Sequence, residues 1–174
     1  MCRRVLDLNT VSWQFGQVAR QPFRASPVDD RAAVREWLPA RILGDVCADL
    51  IAAGHILSVE TPEGIAAGAW VDDSDWWYRV EIPGGYADDE QVILEADGID
   101  YFSAIWLDDR LLATHAGMFS RQTLTLSSWI NTTERAVHEL AIRIWGGGAL
   151  SKLLNGQCRR AVRWLAQRIS PGVE

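Results

Sequence analysis

The side chains that most often carry nucleophilic or metal chemistry are few in this sequence. The three histidines, His55, His115 and His138, form no pair with the spacing of the zinc-binding sequence H-E-x-x-H. The sequence also lacks a G-x-S-x-G nucleophile turn, a P-loop and a C-x-x-C pair. His138 falls at an inward position of a predicted strand, which favours a buried structural histidine. The histidines and cysteines therefore predict no metal site, and the sequence predicts no cofactor.

Carboxylates, by contrast, are plentiful, and one dense run is Asp72-Asp73-Ser74-Asp75. Two carboxylates on either side of a glycosidic bond could supply acid and base catalysis. The same side chains could instead bind calcium through their oxygen atoms. Such runs are most often solvated charges on loops. We favour this third interpretation, and the other two stay open.

Tryptophan is the dominant aromatic residue, with nine tryptophans among sixteen aromatic side chains. The flat face of an indole packs well against the C–H face of a pyranose ring, so exposed tryptophans could bind carbohydrate. Trp76 and Trp106 fall at inward positions of predicted strands, and we assign them to the core. Trp70, Trp77 and Trp129 are therefore the candidates for contact with a sugar.

The elements that must position these residues are mostly short strands. Apolar residues alternate with a period of two in at least five runs after residue 75, and two more runs precede it. The run 102–107 is apolar at both parities and predicts a strand buried on both faces. Turns separate the runs at short intervals. This spacing is typical of an antiparallel β-sandwich or barrel rather than of βαβ units.

A few short helices are predicted in the first half of the chain. Residues 44–53 have a helical composition, with Asp45 as the N-cap. Residues 29–37 predict one or two helical turns that end before Pro39. A further short helix is predicted over 65–71.

Length and charge divide the chain into a body and a tail. The 174 residues suit one domain and fall well below the about 250 residues of a (β/α)₈ barrel. Residues 151–174 contain five basic residues and one acidic residue, a net charge of +4, which leaves −10 on the remainder. We predict a sandwich domain over 1–148, with a flexible stretch at residues 146–148, and a basic amphipathic helix or linker over 149–174. The predicted helix has an apolar stripe at helical spacing: Leu154, Cys158, Ala161, Leu165 and Ile169.

The same composition argues against several classes of partner. A net charge of −6 gives no overall basic footprint for nucleic acid. The first residues contain no apolar signal-peptide core, and no run approaches 18 apolar residues, so neither secretion nor a membrane span is predicted. The cysteines are odd in number and widely spaced, which disfavours a disulfide framework: Cys2, Cys47 and Cys158. A cytoplasmic protein is the expectation.

Five segments carry motifs that are specific as a set, although none would be alone. They are Leu43 to Ile56 with its D-L-x-x-A-G-x-I sequence, Asp75-Trp76-Trp77-Tyr78-Arg79, Leu94 to Leu107 with its G-I-D sequence, His115-Ala116-Gly117-Met118-Phe119, and His138 to Ile144. Together they resemble the N-terminal sugar-binding domain of family 2 glycoside hydrolases, and the first is similar to the β-mannosidase-like branch. The resemblance spans roughly residues 11–146. It implies a jelly-roll, galactose-binding-like β-sandwich that buttresses a catalytic barrel domain and helps to wall its active site. His115 is the fourth candidate for contact with carbohydrate.

The departures from the family pattern concern turns and catalysis. Asp108-Asp109 stands where the family has Asn-Gly, in a turn that favours positive φ, and Leu43 replaces the usual proline before Gly44. The family's Asn-Glu pair, which lies in the barrel, and the Trp-Asp-Trp-Gly-Pro loop of the β-mannosidase-like branch do not occur in this sequence. No catalytic residue can therefore be transferred to this chain.

Three functions are compatible with the sequence. The first is a non-catalytic N-terminal domain of a family 2 glycosidase, inactive as this chain alone. The second is a free-standing carbohydrate-binding module with an exposed aromatic platform. The third is a protein-interaction module that acts through the basic C-terminal helix.

Overall fold

A computed structural model of the chain describes residues 5–21, 28–87, 89–131 and 135–148. These residues form eight strands, all of them paired antiparallel. The strands are β1 Trp13–Ala19, β2 Leu38–Ala40, β3 Ser74–Pro83, β4 Ile93–Ala96, β5 Phe102–Leu107, β6 Arg110–Ala116, β7 Gln122–Thr125 and β8 Val137–Ile144. Six of them form one sheet in the order β2-β1-β3-β8-β5-β6, and β4 pairs with β7 in a second, small sheet. The predicted antiparallel β-sandwich is confirmed.

Short helices lie mainly between β2 and β3, and the described residues include three α-helices: α1 Val46–Ala52, α2 Pro62–Gly68 and α3 Ser127–Ile130. The predicted cap of α1 is present, because the Asp45 side chain accepts a hydrogen bond from the Ala48 amide at 2.8 Å. The helix predicted over 65–71 begins earlier, at Pro62, and continues into a 3₁₀ helix at Ala69–Asp73. Within the described residues, no helix has the length and apolar character needed to cross a membrane.

The segment before β2 differs from the prediction. Only Arg31–Ala33 is helical, as a single 3₁₀ turn, and the chain then runs extended into β2. Pro39 does not end a helix but lies inside β2, opposite Gln14 of β1. Proline has no backbone N–H to donate to a neighbouring strand, so within sheets it occurs mainly on edge strands. β2 is an edge strand of the six-stranded sheet, so it can include Pro39.

The larger core lies between the two sheets. Alternate residues of β3 point into it, as the period of two predicts, and the small sheet covers them from the other side with Leu94 and Leu124. α1 adds Leu50 to the same core. The buried apolar residues of the six-stranded sheet that face this core are Trp13, Phe15, Trp76, Tyr78, Val80, Ile82, Ile105, Leu107 and Leu140.

The opposite face of the six-stranded sheet is also buried. Residues 28–37, which we call the strap, pack against this face through Val34 and Trp37. Gly16 of β1 lets the strap approach, because a Cβ there would collide with Val34 Cγ1 and lie 2.8 Å from the carbonyl oxygen of Glu36. This double cover explains why every residue of β5 is buried. The second core consists of Val18, Trp77, Phe102, Ala104, Trp106, Ala141 and Trp145.

The chain after β8 is more firmly held than its run of three glycines, residues 146–148, predicts. The amide of Gly146 donates to Asp75 Oδ1 at 3.0 Å, and a Cβ at this position would lie 2.6 Å from the carbonyl oxygen of Asp72. Gly146 is therefore anchored rather than a free hinge. The basic helix predicted over 149–174, and with it the proposed boundary after residue 148, lies outside the described residues.

Candidate functional site

Three charged side chains meet between the sheet and the strap, and we call Asp30, Asp75 and Arg143 the strap cluster. Arg143 Nη2 lies 2.8 Å from Asp75 Oδ2, and Arg143 Nε lies 3.2 Å from Asp30 Oδ1. Arg143 is 2% exposed and Asp75 is 0% exposed. Burial of a charge is costly unless it is paired, and here each charge has an opposite partner within hydrogen-bond distance.

The register of β3 and β8 explains why Asp75 and Arg143 of the strap cluster lie close together. Arg143 on β8 lies opposite Trp77 on β3, and Asp75 is two residues earlier on the same face of β3. The Trp77 indole N–H donates to Asp30 Oδ1 at 2.7 Å, so it joins the sheet to the strap. The guanidinium carbon of Arg143 lies 4.6 Å from the ring centroid of Trp145, in a cation–π contact.

The carboxylates of the strap cluster are acceptors of internal hydrogen bonds. Asp75 accepts from the backbone amides of Gln21 and Gly146, each at 3.0 Å, in addition to Arg143. Asp30 accepts from Trp77 and Arg143. A general acid or base must exchange a proton with substrate. These carboxylates are instead used to join β3, β8, the strap and the chain after β8.

A second group of charges lies further along the strap. Arg31 forms an ion pair with Glu139 on β8 and donates to the carbonyl oxygen of Asp108. Burial alone would lower the pKa of Arg31, but the hydrogen bond to Asp29 and the charges of the neighbouring carboxylates outweigh it and raise the pKa. The guanidinium of Arg79 stacks 3.9 Å from the ring centroid of Trp37. The strap is thus held by ionic contacts along its length.

His138 and Asp108 form the pair that most resembles a catalytic dyad. His138 Nδ1 lies 2.9 Å from Asp108 Oδ2, and the Glu139 amide donates to Asp108 Oδ1 at 3.0 Å. Burial alone would raise the pKa of Asp108, but the hydrogen bonds from His138 and Glu139 and the charge of Arg135 outweigh it and lower the pKa. Asp108 has φ = 52°, in the turn between β5 and β6. The pair therefore ties this turn to β8, which agrees with the prediction of a buried structural histidine.

The motif aspartate in the first family-like segment is also structural. Asp49 on α1 is buried and accepts from the Arg41 amide, with N–O distances of 3.1 and 3.3 Å. Burial raises its pKa, and the hydrogen bond from Arg41 only partly offsets this. Asp49 thus holds the loop before α1 against the helix.

The four candidates for carbohydrate contact occupy different environments. Trp70 is 37% exposed and lies with its ring centroid 5.9 Å from that of Trp76. Trp129 on α3 is partly buried and is covered by Arg110, whose guanidinium carbon is 4.1 Å from the ring centroid. His115 is buried, with Nε2 3.0 Å from the carbonyl oxygen of Gly117.

Trp77, the remaining candidate, is completely buried in the second core. Its indole packs on Trp106 with ring centroids 4.8 Å apart, and its N–H is used by Asp30. Alternation with a period of two does not show whether the face of β3 that carries Trp77 is buried, and the strap covers this face. The ring of Trp77 is therefore not accessible to a sugar in this structure.

The other three candidates do not form one platform. Trp76, which contacts Trp70, lies on β3, and the strand pairing leads from it through Ile144 and Ser103 to His115 on β6. Three strand spacings therefore separate Trp76 from His115, which is about 14 Å. Trp129 lies over Arg110 at the other end of β5, about 13 Å along the strand from Ser103. Trp70 is the most exposed of the four candidates.

The calcium interpretation also finds no site in the described part of the chain. No three or more His, Cys, Asp or Glu side chains converge there in an arrangement that could hold a metal ion. In the run 72–75, Asp75 is used in the strap cluster, whereas Asp73 is exposed and pairs with Arg20 at 2.9 Å.

The strap cluster was not identifiable as a site from the sequence. Asp30 and Arg143 are 113 positions apart, so their contact depends on the path of the strap. One signal was present: Arg143 shares its strand parity with Ala141 and Trp145, and a charge between two apolar residues on one face indicates a buried ion pair.

The fold and this network define a β-sandwich domain whose buried charges stabilise its own fold. Residues 13–146 match the model of the family described as glycosyl hydrolase 2 galactose-binding domain-like. The match covers well over half of the chain, and the chain belongs to this family. The family predicted from the five motif segments is confirmed.

Solved structures of family 2 enzymes are similar to this chain over most of its length. The β-D-mannosidase of Dictyoglomus thermophilum has a TM-score of 0.69 and 24% identity over 90% of this chain, but only 17% of the enzyme chain is covered. The exo-chitosanase of Amycolatopsis orientalis has a TM-score of 0.58 and 17% identity, over 79% of this chain and 16% of the enzyme. The β-glucuronidase of Faecalibacterium prausnitzii has a TM-score of 0.51 and 14% identity, over 82% of this chain and 22% of the enzyme.

At sequence identities of 14 to 24%, the similarity to these enzymes shows a shared fold and nothing more. The chain spans less than a quarter of the length of each of these three enzymes. A search of curated proteins finds no significant match to this sequence.

Proposed function

We propose that this chain acts as the non-catalytic, sugar-binding-type N-terminal domain of a family 2 glycoside hydrolase of the β-mannosidase type. One observation carries the proposal: residues 13–146 match the family's galactose-binding-like domain, while the chain covers only 17% of the similar β-mannosidase. The partner of the domain would be a catalytic barrel, and the carbohydrate would be bound by the two together.

The internal partners of three carboxylates, in the strap, on β3 and in the turn after β5, support a non-catalytic role. Asp30 and Asp75 share the single positive charge of Arg143, and Asp108 is held by His138 and the Glu139 amide. A glycosidase needs one carboxyl group as acid and a second as base or nucleophile, both beside the substrate. These side chains are already committed to internal partners.

Two measurements test the proposal. The purified chain should hydrolyse nitrophenyl β-mannoside, β-glucuronide and β-glucosaminide no faster than buffer does. Turnover that co-purifies with the chain through two further columns would overturn the non-catalytic role. The coding sequence downstream of Glu174 is the second test, since a (β/α)₈ barrel with an Asn-Glu pair should follow if the parent protein is a glycosidase.

A second candidate function is carbohydrate binding by the domain itself, and the exposure of Trp70 favours it. Its indole is 37% exposed and is supported from behind by Trp76. Titration with mannosides, glucosaminides and galactosides should then change the tryptophan fluorescence in the millimolar range. Trp70→Ala should abolish the change, whereas Trp129→Ala is the matched control that keeps it. No response of the unmodified chain at millimolar sugar would exclude this function.

A further inference from the structure

An unusually apolar surface lies between β2 and β3. It comprises the end of α1, the following loop, α2 and the next 3₁₀ helix, and we call residues 51–73 the helical surface. The loop and α2 form one continuous layer, because the Cβ position of Gly68 is 3.8 Å from Ile56 Cδ1 and 4.0 Å from Val59 Cγ1. Large apolar side chains on it are 37 to 66% exposed: Ile51, Leu57, Val59, Ile65 and Trp70. Clustered exposed apolar residues of this kind usually mark a site of interaction.

The helical surface is also acidic. No lysine or arginine occurs between Arg41 and Arg79, whereas seven aspartates and glutamates do. Asp49 and Asp75 are buried and have internal partners, but Glu60, Glu63 and Asp72 are exposed. A partner for this surface should therefore be apolar on one side and basic at its edges.

The chain itself arrives at this surface at the end of the described residues. The Cβ position of Gly147 is 3.0 Å from Asp72 Oδ1, and that of Gly148 is 2.6 Å from Arg20 Nη1 and 3.1 Å from the carbonyl oxygen of Asp72. Asp72 belongs to the 3₁₀ helix that also carries Trp70. Gly148, the last described residue, thus lies at the edge of the helical surface.

The sequence that follows has the matching chemistry. Residues 151–174 carry a net charge of +4, and residues 152–170 are predicted as an amphipathic helix. As a helix these nineteen residues would be about 28 Å long, enough to cross the neighbouring short helices. The predicted helix is apolar along the stripe Leu154, Cys158, Ala161, Leu165 and Ile169, and it is basic at Arg159, Arg160 and Arg163.

We propose that residues 152–170 dock as a basic amphipathic helix on the helical surface of the same chain. The apolar stripe covers Ile65, Trp70 and their neighbours, and the arginines face Glu60, Glu63 and Asp72. Burial of the two apolar surfaces and attraction between the opposite charges are both needed for this docking. This inference does not depend on the glycosidase assignment.

Hydrogen exchange of the full chain, followed by mass spectrometry at low salt, tests the proposal. Amides of 154–169 should exchange at least tenfold more slowly than in a free peptide of the same sequence. The double variant Arg160→Glu/Arg163→Glu should lose this protection. Adding Glu60→Arg/Glu63→Arg should restore it, because the reversed charges again attract.

The matched control is Arg110→Glu/Arg121→Glu, which makes the same change of charge on β6 and the loop after it. It should leave protection of 154–169 intact. Exchange of 154–169 at the free-peptide rate would overturn the proposal. So would protection that grows with protein concentration, because the helix would then cover a second copy, and protection that survives Arg160→Glu/Arg163→Glu.

Discussion

Arg143 and Asp75 lie on neighbouring strands, and their side chains meet 2.8 Å apart in a place that solvent does not reach. The pair does more than neutralise two charges. Through Asp30 it holds the strap, and through the Gly146 amide it holds the chain after β8. The strap, the sheet and the exit of the chain are therefore mechanically coupled at one point.

Replacement of Arg143 should strongly destabilise the domain. Arg143→Met would leave the buried Asp75 and the partly buried Asp30 without their counter-ion, a change that costs about 3–5 kcal/mol. Urea unfolding followed by tryptophan fluorescence measures the loss. The control is Arg121→Met, since Arg121 and Asp97 form an exposed pair, at 63% and 85%, whose loss should cost less than about 1 kcal/mol. Similar stabilities for the two variants would contradict the role of the strap cluster.

Gly16 should be intolerant of even one added carbon. Gly16→Ala would push Val34 and the strap away from β1, at a cost of about 1–3 kcal/mol. It should also speed tryptic cleavage after Arg35, because the lifted strap becomes accessible. Gly54→Ala is the control: it has φ = 76° with open space around the Cβ position, so it costs about 1 kcal/mol of backbone strain and leaves cleavage at Arg35 unchanged. Unaltered cleavage in Gly16→Ala would refute the close approach of the strap.

Leu43→Gly should stabilise the protein. Leu43 has φ = 67° and its side chain is 91% exposed, so its backbone strain brings little packing in return. The left-handed conformation costs an L-residue about 1–2 kcal/mol. Glycine avoids this cost, but its larger loss of chain entropy on folding offsets roughly half of the gain. We expect a net gain of about 0.5–1 kcal/mol in thermal or urea unfolding. Leu43→Ala keeps a Cβ and should give no gain; an equal gain from both variants would rule out backbone strain as the cause.

Asp108→Asn should reduce stability at neutral pH but not in acid. The folded pKa of Asp108 lies below its ordinary value of 3.8, so the unfolded chain binds this proton more readily. The stabilisation is therefore complete above pH 3.8 and is lost as the pH falls through the lower, folded pKa.

The variant and the unmodified chain should differ by about 1–2 kcal/mol near pH 7, and the difference should shrink in acid. Urea unfolding at a series of pH values measures it. Asp97→Asn, at an exposed position, should differ little from the unmodified chain at any pH. A difference for Asp108→Asn that stays constant down to about pH 2 would disprove the ionic contribution.

The strands were predictable because their information is local. Alternation in 76–82 places Trp76 and Tyr78 in one core, and 102–107 is apolar at both parities because the sheet is covered on both sides. The positive φ at Asp108 also follows from its place in the turn. The strap was not predictable, since its path depends on contacts with residues far away in sequence, such as that between Asp30 and Arg143.

The same distinction applies to the candidate site. Strand parity places Trp77 on the face opposite Trp76, but parity does not reveal whether that face is open to solvent. The strap buries it, and the sequence of the strap resembles a helix ended by Pro39 more than a covering segment. Trp70 precedes β3 in a short helix, where no alternation constrains its exposure, so only the structure could distinguish it from the other candidates.

The position of β8 has a consequence for synthesis of the protein. β8 lies between β3 and β5, so the six-stranded sheet is two separate pieces, β2-β1-β3 and β5-β6, until residues 137–144 are in place. On a ribosome, both pieces must wait with exposed edges and apolar faces while the last strand is made, because pairing with it spans about 60 residues. The six-stranded sheet thus becomes continuous only once the final described strand has been made, and a nascent chain that stops before it exposes the edges of β3 and β5.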